Sequence, residues 1–345
     1  MRQMFIWGAV LALMICSASS YAGTGRTAAQ FLDLGGGTRA AGMGDTFTAV
    51  SGDVIATFWN PSGLASISEM QMTLSYTNYA AMFGEASEGM YYGLTAFAMP
   101  IKDWGVFGSS LQIQDQGSMV ITTDSPEAVG EADLGMNWAW ALSYADAIND
   151  SLMAGVNAKL IHQKLWTESD TAYAADLGIQ YAVPVTLIKV KLGAALQNLG
   201  TGIQMTDEYQ TQPLPRSLKF GLAVMVVDTP EHRFQIVSDY TSMVDKLGET
   251  EEDKENTAFD AEKAGVGIHA LRPSNSKRGI GGEYWYANVL GIRVGYKYVP
   301  DMPGKHITMG FSVRYENYQI DYARVPGIDV PGGGDIDKVA ILLRF

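Results

Sequence analysis

The sequence predicts an all-β protein: a transmembrane antiparallel β-barrel of about fourteen strands, preceded by a small compact N-terminal unit. Three observations carry this expectation. The chain opens with a stretch built like a secretory signal. From Met70 onward, large apolar residues alternate with small or polar ones at period two. The last strand, VAILLRF, ends on an aromatic residue, Phe345. A soluble sandwich would share the alternation, with its apolar face turned into a core. The signal, the aromatic residues at strand ends and the terminal Phe345 favour the membrane barrel.

Residues 1–22 supply the signal, with Arg2 as the charged start, an apolar core from Phe5 to Cys16 and a small-residue site at Ser20-Tyr21-Ala22. Cleavage is expected after Ala22, with export to the outer membrane of a Gram-negative-type bacterium. A lipoprotein site at Cys16 is disfavoured, because Ile15 stands where such a site wants a small residue. Cys16 is the only cysteine, so the processed chain would carry no disulfide and no thiol chemistry. No later segment approaches the roughly 18 apolar residues of a membrane helix, although 47% of the chain is hydrophobic and only 18% charged. The formal net charge of −13 excludes nucleic acid and anionic surfaces as natural partners.

Residues 23–66 form the N-terminal unit. Between Ala29 and Ala65 the chain is broken every few residues by Gly35, Gly36, Gly37, Gly42, Gly44 and Gly52, which suits a tightly turned body and not a strand. Asp53 is placed to cap a short helix through Val54 to Thr57, and Pro61 stops Asn60 from continuing it.

Residues 67–345 form the barrel. Leu134, Met136, Trp138, Trp140, Leu142 and Tyr144 share one face of a strand against Asp133, Gly135, Asn137, Ala139, Ala141 and Ser143. The division recurs in Leu290 to Tyr298 and Ile307 to Tyr315. Connection lengths alternate as well. Short links fall at Pro100–Asp103, Asp146–Asp150, Val183–Leu187 and Asp228–His232, and long ones at Gln116–Ala132, Leu165–Thr171, Asn198–Pro215 and Thr241–Glu262. Counting Ala264–Leu271 as a barrel strand would break the alternation. The stretch from Thr241 to about Lys277 is therefore assigned to one outer excursion, which leaves fourteen strands and puts Phe345 on the periplasmic side.

Little in the chain points to catalysis, so no enzyme activity and no cofactor are expected. His162, His232, His269 and His306 are scattered without metal-ligand spacing, and nucleophile-elbow and phosphate-loop motifs are absent from the sequence. The run Gly265 to Ala270 mimics a dinucleotide fingerprint but follows an acidic segment where a buried strand should stand. More informative are the charges on inner faces: Lys159, Lys191, Lys219, Arg293, Lys297 and Arg314, with Glu283 and Asp321. A charge in a confined lumen needs a partner or water, so the plain reading is a set of structural pairs. The sharper one is that some of the basic groups hold the carboxylate of an amphipathic ligand. Glu249, Glu251, Glu252, Asp253 and Glu255 read most simply as a solvated outer loop; the alternative is a divalent-cation site, for which hard oxygen ligands are plentiful although no EF-hand spacing organises them.

The run RAAGMGDTFTAVSGDVIATFWNPSGLA, Arg39 to Ala65, resembles the N-terminal signature of the PorV/PorQ family of FadL-like outer-membrane barrels. The resemblance extends to GGEYWYANVLGIRVGYKY and YQIDYARV near the C-terminus. It implies that the N-terminal unit is a plug inside the lumen, with Arg39, Gly42, Gly44, Asp45, Asp53 and the turn Asn60-Pro61-Ser62-Gly63 as its motif. The family more often has Ala at the position of Ser62 and an acid at that of Gly52. The closing strand with its final aromatic resembles that of bacterial outer-membrane barrels in general, which makes Phe345 the expected assembly signal and barrel-assembly machinery and outer-membrane lipid the expected partners. For function the family resemblance implies FadL-like binding and passage of hydrophobic small molecules, or alternatively an accessory, cargo-shuttling role in type IX protein secretion, or a structural surface protein.

Overall fold

The computed structural model describes residues 27–79, 89–122, 128–185, 188–205, 211–244, 276–299, 307–327 and 334–345. The signal segment, Glu249 to Glu255, the Gly265 to Ala270 run and His306 lie outside the described residues. Sixteen strands follow the N-terminal unit: β1 (Gln71–Asn78), β2 (Tyr91–Ile101), β3 (Gly105–Asp115), β4 (Ser118–Thr122), β5 (Ala128–Asp133), β6 (Met136–Ala147), β7 (Leu152–Leu165) and β8 (Glu168–Val183), then β9 (Lys189–Gly200), β10 (Ser217–Asp228), β11 (His232–Met243), β12 (Ser276–Tyr286), β13 (Leu290–Tyr298), β14 (Ile307–Tyr315), β15 (Tyr318–Val325) and β16 (Ile336–Arg344).

Fourteen of them close an antiparallel barrel. Each strand pairs with its neighbours in sequence except where β3 pairs with β6, and β16 returns to β1 with Gln71 opposite Arg344. Closure at the seam is completed outside the strands, where Met70 and Phe345 exchange backbone hydrogen bonds. β4 and β5 form a separate hairpin that leaves the wall between β3 and β6. β11 pairs directly with β12, so the excursion between them adds no strand to the barrel.

The alternation is inverted relative to a soluble fold. In β1, Gln71, Thr73, Ser75 and Thr77 are buried while Met72, Leu74 and Tyr76 face out. Leu74, Ile292 and Met309 are 60–62% exposed although apolar. A continuous apolar belt of this kind is stable only against lipid, which decides between sandwich and membrane barrel. β16 follows the same rule, with Val339, Ile341 and Phe345 outward and Lys338, Ala340 and Leu342 inward.

One expected connection and one expected strand start differ. Leu165–Thr171 is not a long loop: β7 and β8 continue to a two-residue turn in which Trp166 takes a φ of 56°. The barrel strand expected from Asp133 begins at Met136, because Asp133 closes β5 and Gly135 turns the chain at a φ of 98°. Gln116–Ala132 is long as expected and carries the β4–β5 hairpin. The short turns nonetheless share one end of the barrel with Met70 and Phe345, which is taken as the periplasmic end.

The plug and the outer mouth as candidate functional site

Residues 27–66 fill the lumen. Their regular pieces are short: two 3-10 turns, Gln30–Asp33 and Pro61–Ser66, and two single-turn helices, Thr38–Ala41 and Ala56–Trp59. The second helix begins later than the sequence suggested. Asp53 does not cap it; one carboxylate oxygen accepts from the Ile55 N–H at 3.0 Å and the other from Arg39 at 2.8 Å. The helix stops at Trp59 because Asn60 is extended (φ −153°, ψ 104°) ahead of Pro61.

Asn60 is fully buried and ties the plug to the wall. Its Oδ1 accepts from the Ser62 N–H and hydroxyl, and its Nδ2 donates to Thr48 O within the plug and to Ile179 O on β8. The Asn60-Pro61 turn also presses on the wall where the wall has no side chain. A Cβ at Gly178 would lie 2.0 Å from Asn60 Oδ1, and one at Gly155 would lie 2.4 Å from Pro61 C. The same close approach recurs where Met43-Gly44 meets Gly281 and Gly295, where Thr48-Ala49 meets Gly193 and Gly221, and where Gly42 meets Gly310. These wall glycines are sockets for plug backbone.

Polar wall residues complete the seat. Asp239 Oδ2 accepts from the Phe47 N–H, the Thr48 N–H and the Thr48 hydroxyl at 2.7–2.8 Å. Gln180 donates to Thr48 O and Val50 O, Gln197 to Phe58 O and Trp59 O, and Asn157 to Thr57 O. Thr38 meets Ser75 at 3.0 Å and Thr57 meets Ser143 at 2.8 Å, hydroxyl to hydroxyl. Leu64, wholly buried, packs with Ala96, Ala98, Val106 and Ala145.

The charged residues singled out in the sequence all face inward, in two kinds of arrangement. Some join plug to wall. Arg39 forks onto Glu283 at 2.5 and 2.7 Å while reaching Asp53, and Lys297 meets Asp45 at 3.0 Å. Lys191 donates to the Ser51 hydroxyl, and Lys219 lies 4.5 Å above the Trp59 ring. The rest are wall to wall. Lys159 pairs with Asp176 at 2.7 Å, Arg293 bridges Glu283 (2.6 Å) and Asp321 (3.2 Å), and Arg314 reaches the Gln319 amide oxygen. Asp53, Arg39, Glu283, Arg293 and Asp321 thus form one chain of alternating charge across the plug boundary. Burial alone would lower the Arg39 pKa, but Glu283 and Asp53 outweigh it and hold it above its ordinary value. Sequence reading missed Asp239, Gln180, Gln197 and the wall glycines. Inward position at period two was the available signal for the polar residues.

Above the plug, at the long-loop end, lies a cavity of about 350 Å³. Plug residues Leu32, Phe58 and Trp59 form part of its lining, with Tyr79, Tyr91, Tyr298, Val325 and Ile336 around the rim. Lys219, Lys277, Lys297 and Lys338 also reach it, as do Asp33, Asp45 and Asp239. Lys277 pairs with Asp33. Among the described residues, Lys219 and Lys338 have no carboxylate in ion-pair contact. The plug segment Leu32 to Gly37, of which Leu32 to Gly36 line the cavity, is turned by Gly35 and Gly37 at φ of 80° and 85°. It is held by the Asp33 pair, a 2.6 Å bond from Trp59 Nε1 to Gly36 O, and backbone bonds from the Leu32, Leu34 and Ala41 N–H groups to Ala29 O, Phe31 O and Gly37 O.

The plug and the first eleven strands lie within a match, over residues 19–244, to the family described as Type IX secretion system protein PorV. The chain belongs to the PorV family. The matched range takes in the plug and β1 through β11 of this PorV-family barrel. No curated protein is significantly similar to it. Among solved structures it is similar to the toluene transporter TbuX of Ralstonia pickettii, at 16% identity and a TM-score of 0.57, covering 90% of this chain and 98% of that one. It is also similar to the toluene transporter TodX of P. putida, at 13% and 0.55, covering 90% and 99%. A FadL homologue of Pseudomonas aeruginosa stands at 12% and 0.50, covering 90% and 98%. At such identities the likeness is one of fold, and the chain is an outer-membrane β-barrel of this type.

Proposed function

We propose that this PorV-family barrel binds a hydrophobic small molecule at its outer mouth and passes it across the outer membrane by displacement of part of its plug, without catalysis. The observation that carries the reading is the cavity above the plug, whose aromatic and aliphatic lining suits an apolar body and whose lysines suit a polar end. The lumen below is filled by plug backbone seated in wall glycines, so passage requires part of the plug to move, beginning with the segment Leu32 to Gly37 that floors the cavity and leads down from it. A fluorescent hydrophobic probe should bind the detergent-solubilised protein saturably. Trp59→Ala should weaken that binding about tenfold, since truncating a buried aromatic anchor removes more than 1 kcal/mol. Equal affinity in the variant and the parent would place the probe elsewhere.

A second reading, service in protein secretion, is supported by the family match itself. Under it the outer mouth docks a secreted protein and the plug stays seated throughout. The two readings part on whether plug movement is needed.

A further inference from the structure

The periplasmic mouth carries a cluster that neither reading uses. Arg314 is the last residue but one of β14, Arg344 ends β16, and Gln319 is the second residue of β15 between them. Gln319 Nε2 donates to both oxygens of Asp321, at 2.9 and 3.0 Å, which fixes the amide so that its oxygen faces the two guanidiniums. That single oxygen receives Arg314 Nε at 3.0 Å, Arg314 Nη2 at 2.8 Å and Arg344 Nη2 at 3.1 Å. An amide oxygen has two lone pairs, so three N–H donors oversubscribe it.

The donors have little else. Among the described residues Arg314 has no carboxylate partner, and Arg344 has only the half-exposed Glu69 at 3.3 Å. Arg344 Nη1 is buried without an acceptor. Trp285 forms a floor, with the Arg314 guanidinium 4.5 Å over its ring. Two guanidiniums held side by side on a neutral acceptor, with donors to spare, match the fork geometry that binds an oxyanion.

We propose that Arg314 and Arg344 form an oxyanion site at the periplasmic mouth, taking a phosphate or carboxylate group. The site faces the lumen and not the lipid, at the opposite end of the barrel from the outer cavity, so it does not depend on what the outer cavity binds. Its ligand is either a free anion of the periplasm or the ionised head of an amphipathic molecule in the lumen.

Calorimetry on the full chain in neutral detergent, with inorganic phosphate and with octyl phosphate at matched ionic strength, tests this. Saturable binding is expected. It should weaken at least about tenfold in R314Q/R344Q, because the variant removes both charges and both guanidinium forks. It should be unaffected by Trp59→Ala at the outer cavity. Should R314Q/R344Q fail to fold, R314K answers the same question, since it keeps the charge and loses the fork. Tighter binding of octyl phosphate would identify the head of an amphipath, and equal binding a free anion. Absence of saturable binding by either probe, or binding unchanged in the variants, would overturn the proposal.

Discussion

At the scale of single residues, what positions the plug is a set of places where the wall has nothing to offer but backbone. Gly178 shows the logic. Its missing Cβ leaves room for Asn60 Oδ1, and Gly178→Ala would put a methyl group 2.0 Å from that atom. Overpacking of this kind costs about 1–3 kcal/mol. The melting temperature of the variant in detergent should fall, and Asn60→Ala combined with it should lose less than the two single changes added together. Strict additivity would mean that the two positions do not touch. Such sockets were not legible in the sequence, because a glycine in a strand looks the same whether it faces lipid, a turn or a plug sixty residues or more away. The charges were more readable: alternation alone placed Glu283, Arg293 and Lys297 inward, although it could not say that Arg39 and Asp45 would meet them.

The Asp45–Lys297 pair also gives the plug a pH dependence. Burial pushes the Asp45 carboxyl up, but Lys297, Lys338 and Lys277 together outweigh that and hold it below the ordinary carboxylate range. A pKa lowered in the folded state contributes stability that is present above the unfolded value, about 3.9, and is lost as pH falls through the lower folded value. The melting temperature of Asp45→Asn should therefore lie below that of the parent at pH 7 and converge with it toward pH 3. A gap that stayed constant across this range would remove Asp45 from the account.

At the scale of elements, the strands were the most readable part of the chain. Period-two alternation marks a strand wherever one face is lipid and the other polar, and it separated β13, β14 and β16 cleanly. It failed at the outer ends. β7 and β8 continue to the Trp166 turn because pairing goes on past the point where lipid imposes the pattern, and the β4–β5 hairpin leaves the barrel altogether. The one short helix expected, Val54 to Thr57, was misplaced by two residues because Asp53 is engaged by Arg39 as well as by the Ile55 N–H, an arrangement that depends on tertiary contact. β16 carries its own prediction. Phe345 adds the last backbone pair of the seam, with Met70, and turns its ring outward at 62% exposure. Deleting it should reduce the amount of folded barrel in the outer membrane severalfold at unchanged transcript level. Normal accumulation of the truncated chain would show that the terminal residue is dispensable for assembly.

At the scale of the whole molecule, the plug touches the barrel wall on every side, from Thr38 against β1 and Thr57 against β6 to Asp45 against β13 and Ala41 against Ala323 on β15. A buried charge chain such as Asp53–Arg39–Glu283–Arg293–Asp321 is a weak source of net stability but is costly to break singly, by about 3–5 kcal/mol. It therefore favours one plug position over others. The barrel and its polar lumen followed from the sequence. The outer cavity did not, since it is made from plug and rim residues far apart in the chain.

The reading as a passage protein stands on movement of the Leu32 to Gly37 segment, whose lower end is held by Thr38 against Ser75. Their hydroxyl oxygens are 3.0 Å apart, so T38C/S75C places two thiols within reach of a disulfide with little change in volume. Cys16 is the only native cysteine and falls in the expected signal, so the new pair would be the only one in the processed chain. The most direct measurement is uptake of a fluorescent hydrophobic probe into proteoliposomes holding T38C/S75C, oxidised and then reduced. Oxidation should bring uptake down to the level of protein-free vesicles, and reduction should restore it. Uptake at the same rate in both states would contradict a route gated by the plug.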